Sequence, residues 1–147
     1  FYEGLVLFGY GSLYTEMKRF DSGYSAVSLA IDKFKKSEDK EILKAVIPLK
    51  IQCAYELNSF AECRKLSYDL LLLLKATSLP SFEAVCYAYL AGSYIENKID
   101  SARHYINRAL PLALKSKNDY FLSIIYGFES SIYQKEGNAR KAIDCKD

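Results

Sequence analysis

His104 is the only histidine in the 147-residue chain, so imidazole chemistry has a single place to occur. It follows Arg103 on the polar side of a helical stripe, which reads as a surface position. No nucleophile and base stand at a spacing with a recognisable local signature. Cys53, Cys63, Cys86 and Cys145 are spaced 10, 23 and 59 positions apart, which is neither a paired zinc ribbon nor the disulfide framework of a small secreted domain. They read as reduced core residues. A zinc site would need His104 and cysteines from distant segments to converge. Gly9-Tyr10-Gly11 lacks the third glycine of a phosphate-cradling loop and lies inside a helical stripe, where close helix packing explains it. Neither a catalytic group, a metal nor a cofactor is expected.

Charge says little more about chemistry. Twenty Lys and Arg face eighteen Asp and Glu, a formal net charge of +2 with the signs interspersed. That is not the electrostatic footprint of a protein that holds nucleic acid or an anionic membrane. Glu38, Asp39 and Glu41 alternate with Lys35, Lys36, Lys40 and Lys44, a pattern that reads as a solvated turn with internal ion pairing. Leu70 to Leu74 is an unbroken leucine run, far short of the ~20 residues needed to cross a bilayer. Opening on Phe1 and stopping at Asp147 a few residues into a helical pattern, the sequence is expected to be a segment of a longer chain. Free thiols at apolar positions point to a reducing, cytoplasmic setting.

The elements that must position these residues are helices. Glycine and proline together make only 10 of 147 residues, while half the chain is hydrophobic, so there are few of the backbone breakers that all-β folds use in their turns. A repeat organises the chain. Phe20, Phe60, Ile99 and Ala139 recur at steps of 40, 39 and 40, and Gly23, Cys63, Ala102 and Ala142 form a column of small residues on the same spacing. Lys36, Lys75 and Lys115 each open a short polar connection. The units are approximately 1–37, 38–77, 78–117 and 118–147.

Within each unit apolar residues recur three and four apart, the helical period. Leu7, Tyr10, Gly11 and Tyr14 make one stripe; Ala102, Tyr105, Ile106, Ala109 and Ala113 make another. The pattern predicts helices at 2–17, 21–36, 39–57, 60–76, 80–97, 101–116 and 119–136, with an eighth begun at 139. Ser59-Phe60-Ala61-Glu62 has the spacing of a capping box, and Asp100 and Asn138 are expected as single-residue caps. Pro48 and Pro111 should kink their helices without ending them, whereas Pro80 sits in a first turn where its missing N–H costs little.

Helix, tight turn, helix, with a small residue at the crossing and an aromatic opening the second helix, resembles the tetratricopeptide repeat. Tyr10-Gly11-Ser12-Leu13-Tyr14, Phe20, Gly23 and Ala30 match that family's columns in order, and Tyr133, Gly137 and Ala142 match in the last unit. The resemblance covers about three and a half units. Their period is near 40 rather than the usual ~34 residues, as in bacterial regulatory proteins that couple extended repeats to DNA-binding or kinase domains.

This resemblance implies an all-α, right-handed superhelical solenoid of antiparallel helix pairs, with the first helix of each unit lining a groove. The family's groove columns fall on Ser12, Thr15 and Glu16 in unit one and on Gln52, Tyr55 and Glu56 in unit two. Unit three supplies Tyr87, Ala91, Tyr94 and Ile95; unit four supplies Gly127, Ser131, Gln134 and Lys135. Tyr14 and Tyr133, on repeat core columns, are expected to pack. The set lacks the Lys and Arg clamp that holds a peptide carboxylate. What it implies is a non-enzymatic protein- or peptide-binding module, the sensing or docking part of a bacterial regulator. Self-association is the alternative, because five consecutive leucines spread apolar surface around the whole helix; either neighbouring repeats cover all of them or a homodimer contact does.

Overall fold

The computed structural model describes the backbone of residues 1–37, 41–77 and 79–144, and side chains as far as residue 137. It consists of α1 (Tyr2–Glu16), α2 (Phe20–Lys35), α3 (Glu41–Glu56), α4 (Phe60–Leu74), α5 (Pro80–Tyr94), α6 (Ile99–Ser116) and α7 (Asp119–Asp144). The fold is all-α, with no strand among the described residues, and its architecture is helical and repeat-like. Each helix packs on the next, and the odd-numbered helices also touch one another in series, α1 on α3, α3 on α5 and α5 on α7. One continuous core runs from Val27 to Ile132.

The turns inside the first two pairs share one construction. Lys18 and Asn58 take left-handed backbone conformations with φ of 59° and 60°. This lets the Arg19 N–H donate to the Tyr14 carbonyl at 2.8 Å and the Ser59 N–H to the Ala54 carbonyl at 2.9 Å, capping the preceding helix. That bond also explains why the expected capping box does not form. Its second half requires the Ser59 N–H, which is already donated, and no side-chain cap bond is made at Ser59. Glu62 instead accepts the Tyr24 hydroxyl at 3.1 Å.

The third pair turns differently. Lys98 N–H donates to the Tyr94 carbonyl four residues back, and no residue between them is left-handed. The closing bond therefore spans one residue fewer than in the first two pairs, and the helix begins at Ile99, which places Asp100 inside α6 rather than at its cap. Asn118 is a cap in fact, its side-chain oxygen accepting the Phe121 N–H at 3.1 Å.

Small residues let each pair close. A β-carbon on Gly11 would collide with Val27, and one on Gly23 would stand 3.0 Å from Thr15 Oγ1 and 3.3 Å from Cys53 Sγ. In the third pair Ala88 and Ala91 of α5 and Ala102 and Ala109 of α6, all buried, play the same part. Both internal prolines are carried within α3 and α6, and Pro80 opens α5.

Four sequence expectations are corrected. No eighth helix starts at 139, because α7 continues to Asp144 and the backbone of Asn138 lies within it. Gly137 permits a turn, but nothing lies within 4 Å of where its β-carbon would stand, and continuing the helix adds a hydrogen bond per residue. Tyr133 does not pack in the core; it is 57% exposed beneath Arg103, whose guanidinium carbon lies 4.4 Å from the ring centre. Lys44 is buried rather than solvated, 2.8 Å from Glu41; Glu38, Asp39 and Lys40 lie outside the described residues. The leucine run is covered only in part: Leu70 and Leu74 are buried, while Leu72 is 69% exposed.

Candidate functional site

A cleft of about 240 Å³ lies where the odd-numbered helices meet. Phe8 and Ser12 of α1 line one end, Pro48 and Gln52 of α3 the middle, Val85 and Tyr89 of α5 its far wall, and Tyr120, Phe121 and Ile124 of α7 the opposite end. These positions obey the repeat. Phe8 and Pro48, Ser12 and Gln52, Ala45 and Val85, and Leu49 and Tyr89 all line the cleft, and each pair is 40 residues apart.

None of the eleven lining residues is charged. The walls are rings and aliphatic groups, and the polar groups are the Ser12 hydroxyl, the Gln52 amide and the phenols of Tyr89 and Tyr120. Pro48 has no N–H to give to the carbonyl four residues earlier in α3. Such a surface can seat an aromatic or aliphatic side chain while hydroxyl and amide groups bond to backbone. Burial pushes the Tyr89 phenol well above its ordinary range, with smaller contributions from the nearby Tyr120 and Glu56. The phenol is a neutral donor at physiological pH.

Beneath the cleft an aromatic cluster joins three odd helices. Tyr55 of α3 lies 5.6 Å from the Tyr89 ring and 5.1 Å from the Phe128 ring of α7, edge to face in both cases. Burial raises the Tyr55 phenol too. Among the groove residues expected from the resemblance, Ser12 and Gln52 line the cleft and Tyr55 supports it. Glu56 is exposed at the end of α3.

Tyr87 and Tyr94 stand elsewhere. Both stack on Tyr105 of α6, at 6.2 and 5.9 Å between ring centres, with interplanar angles of 17° and 12°. Arg64 lies over Tyr94 and Arg108 over Tyr87, at 4.9 and 4.7 Å, and the Tyr68 hydroxyl is 2.9 Å from that of Tyr105. The correction has a simple cause. The 39-residue step arises after α5, where the closing bond from Lys98 to Tyr94 spans one residue fewer, whereas the first helices themselves repeat at 40. Applying 39 to α5 rotates it by one residue, about 100° of helix. In the 40-residue register Tyr87 matches Leu7 and Ile47, and Tyr94 matches Tyr14 and Ala54.

In α7, Ser131 and Gln134 are exposed, Ser131 donating to the Gly127 carbonyl of its own helix at 3.1 Å. Lys135 reaches Glu96 at 2.6 Å, tying α7 to the turn after α5. Of the cleft residues that sequence reasoning missed, Phe8, Pro48, Val85 and Tyr89 carry the 40-residue spacing, which was legible once the first helices were aligned on themselves, whereas Tyr120 of α7 does not.

Cys53, Cys63 and Cys86 are buried and free, and His104 is exposed. Among the described residues, no three His, Cys, Asp or Glu side chains are grouped to hold a metal ion, and no helix is long and apolar enough to cross a membrane. Compared with known proteins, the chain matches no family model and no curated protein.

Proposed function

We propose that the helix pairs belong to a right-handed superhelical solenoid of tetratricopeptide type, and that the cleft along its first helices binds an extended segment of a protein or peptide. One observation carries this reading: four successive odd-numbered helices contribute to a single uncharged cleft. A repeat scaffold that brings one face of every unit to a common surface is built for an extended ligand rather than for a point of catalysis. Near-neutral charge and interspersed signs favour a protein partner over nucleic acid or membrane. The role inferred is that of a non-enzymatic sensing or docking module of a bacterial regulator, working in the cytoplasm.

The test is selection of random 12-residue peptides displayed on phage against the folded 147-residue chain, followed by anisotropy titration of those enriched. Ser12→Trp, which fills the cleft from α1, should weaken their binding at least about tenfold, or ~1.4 kcal/mol. No enrichment over a control protein, or an affinity indifferent to Ser12→Trp, overturns the reading.

A further inference from the structure

A roomier groove than the cleft lies on the opposite side of α3. At about 100° of rotation per residue, Leu43, Ile47 and Lys50 point away from Pro48, Leu49 and Gln52, which line the cleft. They floor a groove of about 580 Å³, against about 240 Å³ for the cleft. Its walls are α2 and α4, which among the described residues both pack on α3 without meeting each other. Ile31 comes from α2, and Leu66, Leu72 and Leu73 come from α4. Walls and floor lie inside the array, so a further unit stacked at either end would leave the groove open.

The next repeat closes the corresponding space with its own side chains. Ile47 matches Tyr87, 40 residues on, while Leu66 and Asp69 match Tyr105 and Arg108, 39 residues on. Between α4, α5 and α6 those two rings stack at 6.2 Å, and the Arg108 guanidinium covers Tyr87 at 4.7 Å. Between α2, α3 and α4 the smaller residues at the same columns leave the space unfilled.

We infer that this groove binds an anionic amphiphile, a medium-chain fatty acid, with its alkyl chain against the leucines and isoleucines and its carboxylate at the lysines of the rim. Three observations single out that ligand. The lining contains no neutral hydrogen-bonding side chain, so it has nothing for the backbone of an extended peptide, whereas an alkyl chain needs no such partner. Size is the second. The floor runs from Leu43 to Lys50, about 10 Å of helix, and its volume falls in the range of small-ligand sites, about 300–1,000 Å³. A stable protein interface buries about 800 Å² on each partner, more than so short a groove can supply.

Charge is the third observation. The charged groups of the lining are Lys35, Lys50 and Asp69, two cations against one anion. Among the described residues neither ammonium has an ion-pair partner, although Lys33 and Lys44 of the same two helices hold Glu3 at 2.9 Å and Glu41 at 2.8 Å. Lys50 stands over the Tyr24 ring at 5.1 Å, a contact that fixes its position without neutralising it.

The experiment is isothermal titration calorimetry of the 147-residue chain with octanoate, decanoate and dodecanoate below their micelle concentrations, and with dodecyltrimethylammonium as the cation of equal chain length. Dodecanoate should bind saturably, with each methylene in the series tightening binding by up to about fourfold. The cation should bind at least about tenfold more weakly. Leu66→Tyr, which copies the ring that closes the next groove, and Leu72→Glu, at an exposed position that leaves the core intact, should each weaken dodecanoate at least about tenfold while circular dichroism stays unchanged. Replacing both lysines, Lys35→Gln with Lys50→Gln, should erase the preference for carboxylate over ammonium, and Asp69→Asn should sharpen it. Absence of saturable dodecanoate binding overturns the proposal. Equal affinity for the two headgroups overturns it too, since the groove would then be a general apolar surface. Binding that survives both Leu66→Tyr and Leu72→Glu, or that Ser12→Trp abolishes, overturns the site and places the chain elsewhere, in the latter case in the cleft of the odd-numbered helices.

Discussion

A β-carbon on Gly92 of α5 would stand 2.6 Å from the ring of Phe128 of α7. The ring is held there by Tyr55 and Tyr89, so it has little room to withdraw. Absence of a side chain at Gly92 therefore sets how closely α5 and α7 approach, and with it the width of the cleft that both helices line.

Gly92→Ala should consequently destabilise the chain by about 1–3 kcal/mol, the usual cost of overpacking a core. Gly127→Ala is the control, because nothing lies within 4 Å of that position and alanine is the better helix former. It should be neutral or stabilising by up to about 1 kcal/mol. Urea denaturation of both variants checks the contrast; equal effects would show that Phe128 gives way.

Thiol reactivity should report unfolding. Burial pushes the Cys63 thiol up to about 12, and burial raises Cys86 and Cys53 as well. At pH 8 Ellman's reagent should modify these three no faster than the chain opens. The sign of the pH effect follows. A thiol whose proton is held more tightly in the folded state contributes stability that is present below the unfolded value near 8.5 and is lost as pH rises toward the folded one. Urea midpoints should fall from about pH 9 upward. Cys63→Ala should flatten that fall by up to about 1.4 kcal/mol per pH unit.

Arg103 joins α6 to α7, bonding Glu136 at 2.8 Å and covering the Tyr133 ring. Both ends of the ion pair are partly exposed, so Arg103→Gln should cost only about 0.5–1.5 kcal/mol. Salt should weaken the pair while leaving the ring contact, which a denaturation series at two ionic strengths would separate.

The Tyr68 and Tyr105 hydroxyls, 2.9 Å apart, tie α4 to α6 across the stacked rings. A double-mutant cycle of Tyr68→Phe and Tyr105→Phe should give a coupling of about 0.5–1.5 kcal/mol. A coupling near zero would mean that stacking alone holds these helices.

Helix type and extent were legible because both are local: apolar spacing, the scarcity of glycine and proline, and the position of Pro80 place every helix end to within about three residues except the end of α7, which runs on past 136 to Asp144. Caps were less so. Ser59 and Glu62 have the right spacing, yet the left-handed Asn58 turn takes the N–H that the box would have used.

By itself the sequence determined that this chain is helical, that its units recur near 40 residues, and that Gly11 and Gly23 mark a close crossing. Only the tertiary structure decided which side chains share a surface. The residue missing from the third repeat lies after the Tyr94 carbonyl, so an alignment that removes it before α5 misplaces that helix by about 100° of rotation. Because α5 keeps the 40-residue register of α1 and α3, Tyr89 lies in the cleft and Tyr87 and Tyr94 lie against Tyr105. The backbone shows where the residue is lost: the Lys98 N–H closes on the Tyr94 carbonyl four residues back, whereas Arg19 and Ser59 close on carbonyls five residues back.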